Sequence, residues 1–145
     1  MSNSNKWLLL FVAFFILAGG GLAMASGNIS VQIDKLADAI AFAEGFYVAG
    51  SRPQRNNNPG DLTLSLGFPT TGMDDIYVIF ATIEAGWAAL KKQVELMLTN
   101  QSRIYTSNMT IFEVAQHYTT TDVSTWAANV AARLGVSPFS KISEI

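Results

Sequence analysis

The chain has 145 residues and a formal net charge of −2, enough for one domain with a short appendage and too little positive charge for a surface that holds nucleic acid. It has no cysteine, which excludes a disulfide framework, a thiolate nucleophile, a thiolate-bound metal and a lipoprotein anchor. Its single histidine, His117, rules out a polyhistidine metal centre within one chain. No glycine-rich phosphate cradle occurs either. What remains is the chemistry of carboxylates, amides and hydroxyls, with no cofactor and no metal expected.

Residues 1–25 read as an export signal. Lys6 supplies a short positive start, Trp7 to Leu17 an apolar run, and Ala23-Met24-Ala25 a cleavage site before Ser26. The competing reading is an uncleaved anchor that tethers the protein through residues 7–25, a stretch almost long enough to span a bilayer. Gly19-Gly20-Gly21 interrupts that stretch and favours cleavage. Both readings put the folded part, residues 26–145, outside the cytoplasm, in the periplasm or the medium.

The spacing predicts an amphipathic helix from about Ser30 to Glu44, with Ser30 as N-cap and Asp34 near its positive end. Ile33, Leu36, Ala37, Ile40 and Ala43 share one face, within roughly 60° of Ile40. Asp34, Lys35 and Asp38 share the other. Glu44 lies about 40° from Ile40 on the apolar side, and Gly45 ends the helix immediately. An acid at the edge of a core resists ionisation, which is how a general acid is made. A fraying last turn would instead leave Glu44 an ordinary surface glutamate. Gly45 allows close approach to the carboxyl, and Phe42, Phe46 and Tyr47 offer ring surface around it.

From Phe46 to Gly60 the chain is irregular, with Gly50, Pro53, Pro59 and Gly60 as punctuation. Asn56-Asn57-Asn58 ahead of Pro-Gly suits a turn. Three amides exceed what a turn needs, and primary amides also suit the hydroxyls and N-acetyl groups of a sugar chain. Arg52 and Arg55 either reach a substrate carboxylate or are simply solvated. Asp61 to Gly67 alternates polar and apolar, as a half-buried strand does. Phe68 to Asp75, with Pro69 and Gly72, reads as a turn, and Ile76 to Phe80 as the returning strand of a sheet of two or three strands.

Thr82 then caps a long helix carrying Ile83, Trp87, Leu90, Val94, Met97 and Leu98 at helical spacing. Asn100 to Asn108 is a polar loop. Thr110 to Glu113 forms a capping box and opens a short helix through Ile111, Val114, Ala115 and Tyr118. A last helix starts at Ser124 or Thr125, places Trp126, Val130 and Leu134 inward, and stops at Gly135. By spacing alone Trp87, Trp126 and Tyr118 are core positions, although either tryptophan would also stack on a sugar ring, and His117 points to solvent.

The order of these features resembles a known family. A helix ending in Glu-Gly-Phe is followed by R-N-N-N-P-G-D-L at Arg55 to Leu62 and F-x-T-x-E-x-G-W-x-A-L at Phe80 to Leu90. Then come T-I-x-x-x-A-x-x-Y at Thr110 to Tyr118 and a last helix closing on Leu134-Gly135-Val136. Together they are similar to small phage and bacterial proteins of the goose-type lysozyme and lytic transglycosylase superfamily. The likeness runs from about Ile33 to Pro138. It implies an α+β, lysozyme-like fold: mostly helical, with a small antiparallel hairpin beside a cleft. It further implies cleavage of the β-1,4 MurNAc-GlcNAc bond of peptidoglycan glycan strands.

On this resemblance Glu44 matches the general acid/base, and Asn56, Asn57 and Asn58 with Asp61 match the segment entering the sheet beside the cleft. Glu84 and Gly86 match the start of the next helix, and Tyr118 the aromatic that lines the site. Substrate contacts are expected from Asn56, Asn57, Asn58, Glu84, Tyr118 and Tyr47. Two positions depart from the pattern: Asp61 where asparagine is common, and Trp126 where tyrosine is usual. Asp61 is thus a candidate second carboxylate, which inverting hydrolysis needs at roughly 6.5–9.5 Å from the acid. Lytic transglycosylases use one glutamate and need no second acid. The alternative expectation is a non-catalytic peptidoglycan-binding, virion-associated or secretion-associated structural module with the same fold.

Overall fold

A computed structural model describes residues 28–145; the signal or anchor segment expected at 1–25 lies outside them. Helix α1 runs over 28–43. Ser30 therefore lies inside the helix and not at its cap, since Asn28 and Ile29 before it are already helical. The helix stops where expected. Gly45 takes a left-handed φ of 78°, and its amide bonds the carbonyl of Phe42 while that of Phe46 bonds Ala41. This double closure needs a residue without a Cβ penalty at positive φ. Leu36, Ala37 and Ile40 are buried as the stripe predicts, and Ala39 and Ala41 are fully buried beside them. Alanines off the stripe let other elements approach α1 from more than one side.

A single turn, α2 (Arg52–Arg55), follows, capped by Ser51 and with Pro53 buried in its first turn. The sheet differs from expectation. Asp61 to Gly67 is not a strand, because Asp61 and Leu66 sit at φ of 48° and 52° and the extended run is broken at both ends. Only Leu62 meets the sheet, its carbonyl accepting from the amide of Val78, while Leu64 turns out to solvent. The partner strand is β1 (Thr70–Asp74), inside the stretch read as a turn. It pairs antiparallel with β2 (Tyr77–Phe80), and a bulge at Thr71 separates Thr70↔Phe80 from Gly72↔Ile79. The reversal falls later, at Asp75, with φ of 58°.

Helix α3 (Ile83–Leu98) is capped by Thr82. Leu90, Val94 and Met97 are fully buried; Ile83, Trp87 and Leu98 are only half so. Helix α4 (Ile111–Tyr118) opens with the expected capping box. Helix α5 (Val123–Leu134) begins slightly earlier than predicted, capped by Asp122, whose carboxylate accepts from the amide of Thr125. It ends at Gly135, with φ of 71°. A short 3-10 turn, Ile142–Glu144, returns Ile142 to the core.

Residues 32–145 share one hydrophobic core, built from the inner faces of α1, α3, α4 and α5 and from Val78 and Phe80 of β2. The architecture of the described residues is mixed: about half helical, with a small two-stranded antiparallel sheet. Surface ion pairs tie the helices outside the core, Lys91 to Asp34 at 2.7 Å and Arg133 to Asp38 at 2.8 Å. No helix among the described residues is long and apolar enough to cross a membrane.

Candidate active site

Glu44 is the residue on which the site is built. As the last position before Gly45 it lies at the negative end of α1, where a carboxylate is disfavoured. Burial pushes its carboxyl up from the ordinary 4.5 to about 7, against the pull of a hydrogen bond from Trp126. The charge of Asp61 adds to the rise and that of Arg52 opposes it. Trp126 reaches Glu44 across 82 positions of sequence, its Nε1–H donating to Oε1 at 2.7 Å.

Behind Trp126 stands a wall of rings. Tyr118, at the end of α4, stacks on Trp126 with centroids 5.0 Å apart and planes at 29°. The Tyr118 hydroxyl donates to the carbonyl of Gly60 at 2.9 Å, fastening the wall to the loop that carries Asp61. Tyr105 leans on Tyr118 at 6.3 Å and on His117 at 6.2 Å. Burial pushes the Tyr105 phenol up to about 12 and holds that of Tyr118 well above the ordinary tyrosine value, with the Glu44 charge adding to both.

Asp61 lies near enough for its charge to act on Glu44, but it is not free. Arg52 grips both of its oxygens, through Nε at 3.1 Å and through a second, shorter bond from Nη2. The Arg52 guanidinium also lies 3.5 Å over the ring of Tyr77 in β2. Asp61 holds the Arg52 proton more firmly than usual, chiefly through that bond. The expectation that Arg52 is solvated or meets a substrate carboxylate gives way to an internal pair. Arg55 bonds the Gly50 carbonyl at 2.6 Å.

The asparagine triplet serves the scaffold. Asn58 is fully buried; its Nδ2 bonds the carbonyls of Leu62 and Val78, both at 2.9 Å, and its Oδ1 accepts from the Leu62 amide at 2.8 Å. Asn56 Nδ2 bonds Asp74 at 3.2 Å and Asn57 Nδ2 bonds the carbonyl of Phe80 at 3.2 Å. For Asn58 the expected sugar contact is corrected, because no surface of it is left for a ligand. Asn56 and Asn57 also spend their donors inside the chain.

Two further expected residues have contacts of their own. Tyr47 is half exposed, its hydroxyl donating to Asp38 at 2.6 Å, next to Arg133. Burial first, and then that bond, push its phenol up to about 12. Glu84 is exposed in the first turn of α3, where its charge suits the helix dipole.

Of the expected residues, the fold gathers Glu44, Asp61 and Tyr118 and adds Trp126, Arg52, Tyr105 and Tyr77. A buried indole needs an acceptor, and that was the one sequence signal for the Trp126 pairing. Tyr105, in a loop of polar residues, gave none. Among the described residues no three of His, Cys, Asp and Glu gather as a metal site would require. No family model, curated protein or solved structure matches this chain. The site therefore rests on its own geometry: an acid poised near neutrality, bonded on one oxygen, backed by aromatic rings, with an ion pair near enough to act on its charge.

Proposed function

We propose that this protein is an exported, lysozyme-like glycosidase that cleaves the β-1,4 MurNAc-GlcNAc bond of peptidoglycan, with Glu44 as general acid/base. The observation that carries the reading is a single glutamate whose burial holds its pKa at about 7, the value a group needs to give and take a proton near neutral pH. The motif order from Glu44 to Val136 supports the substrate class. In this reading the glycan lies in a cleft between the hairpin and the helices, and protonated Glu44 gives its proton to the glycosidic oxygen as the bond to C1 breaks. The Glu44 carboxylate then takes the proton of the sugar's own C6 hydroxyl as that oxygen bonds C1, closing a 1,6-anhydro ring.

The engagement of Asp61 by Arg52 favours this one-acid route over inverting hydrolysis, which requires a carboxylate free to activate water. The alternative, a wall-binding module without catalysis, predicts binding to insoluble peptidoglycan that is unchanged in Glu44→Gln.

A zymogram and mass spectrometry of released muropeptides test the proposal. The parent chain clears peptidoglycan and releases anhydro-muropeptides, while Glu44→Gln loses about 10²-fold or more in rate. Equal clearing by both proteins, or by neither, refutes it.

A further inference from the structure

An indole N–H donates and cannot accept. The oxygen it meets, Glu44 Oε1 at 2.7 Å, must therefore act as the acceptor in either state of the carboxyl. In the protonated acid the better acceptor is the carbonyl-type oxygen, so this bond steers the proton to the other one, Oε2. Among the described residues nothing bonds Oε2, and no side-chain oxygen sealed from solvent lacks a partner. Oε2 thus keeps contact with solvent. The indole cannot turn away, because Tyr118 stacks on its plane and is itself anchored to Gly60.

We propose that Trp126 is a positioning residue that holds the Glu44 proton on Oε2, so that the acid works through one fixed oxygen, with Tyr118 locking the indole plane. A tyrosine here would both donate and accept through a rotating hydroxyl and leave the proton shared between the two oxygens. A tryptophan enforces the choice. The groups facing Glu44 are Trp126 from α5, Tyr118 from α4, Tyr105 from the loop before α4, and the Arg52–Asp61 pair from the α2 region. Of these Trp126 alone hydrogen-bonds the carboxyl, so its removal has a signature distinct from a change in surrounding charge.

The inference rests on Glu44 being the general acid, yet the pairing is measurable without turnover. In the ¹⁵N-labelled full chain the Trp126 indole resonance follows the Glu44 titration, with a midpoint near 7, and in Glu44→Gln it does not titrate. Trp126→Phe keeps the ring and removes the donor. Its Glu44 carboxyl, followed by ¹³C resonance, titrates about one pH unit higher, because the lost bond favoured the charged form. At about pH 5, where the acid is protonated in both proteins, kcat falls on the order of tenfold with KM within about twofold. Trp126→Tyr, which restores a donor, brings the midpoint back. An indole resonance indifferent to Glu44, or a Trp126→Phe protein with unchanged midpoint and kcat, overturns the proposal. If no glycan is cleaved at all, the functional reading fails by itself, and the indole and carboxyl titrations still decide whether Trp126 places the proton.

Discussion

Asn58 bonds three backbone groups, the carbonyls of Leu62 and Val78 and the amide of Leu62; of these only the Leu62 carbonyl has a second partner, the Val78 amide. Truncation to alanine leaves buried polar groups without partners, each at about 1–3 kcal/mol. Asn58→Ala should lose about 3 kcal/mol in urea unfolding, a sizeable share of the roughly 5–15 kcal/mol that holds a domain folded. Gly86 is constrained differently. A Cβ there would lie 1.8 Å from the Asn57 carbonyl oxygen, a backbone atom with no room to retreat. Gly86→Ala should cost at least about 2 kcal/mol and lower the melting temperature, although alanine is the better helix former. The match of Gly86 to the motif was readable in the chain, but the contact responsible for it was not.

At the level of elements, α4 depends on its first turn. Thr110 accepts from the Glu113 amide at 3.1 Å and the Glu113 carboxylate accepts from the Thr110 amide at 2.8 Å. The bonds that the carboxylate accepts, from the Thr110 amide first and then from the Thr110 hydroxyl, hold the Glu113 carboxyl below the usual glutamate range. Thr110→Ala should cost about 1 kcal/mol, or about 4 °C in Tm by calorimetry. Because α4 carries Tyr118 at its far end, the Trp126–Tyr118 stack should loosen with it, seen as a change in near-UV circular dichroism. The starts of α3 and α4 and the stops of α1 and α5 were legible because caps and left-handed glycines act on neighbours in sequence. The hairpin was not. Alternation marked Asp61 to Gly67 as a strand, but residues at positive φ at both ends and the side chain of Asn58 took its backbone groups first. Thr70 to Asp74 carries turn residues and became a strand by pairing with Tyr77 to Phe80.

Across the whole molecule, Glu44 sets the sign of the pH dependence near neutrality. The unfolded chain ionises it at the ordinary 4.5, the folded chain at about 7. Between those values the folded state binds the extra proton, so stability falls as pH rises, by at most about 3 kcal/mol. The opposite limb comes from Asp38, held low by its hydrogen bond to Arg133, and from the capping carboxylates Glu113 and Asp122. Their contribution is present above the unfolded pKa and lost as pH falls through the lowered folded values. Stability should therefore peak near pH 4.5–5, between the two limbs. Glu44→Gln should flatten the neutral limb and be more stable than the parent at about pH 8 by about 1 kcal/mol or more. Urea unfolding at stepped pH checks both. A parent chain most stable at about pH 8 contradicts the assignment of Glu44 as a buried acid.

The chain by itself determined four of its helices, much of their inward faces and the placing of Glu44 at the end of one of them. Periodicity, caps and a glycine stop are local and need no partner. Only the tertiary structure decided what surrounds that acid. It turned the Trp126 indole onto one oxygen, spent the Asn58 amide inside the protein, and tied Asp61 to Arg52. Hydrogen-bond donors and charges are assigned by whichever partner lies nearest in space, and 82 residues separate Glu44 from the group that bonds it.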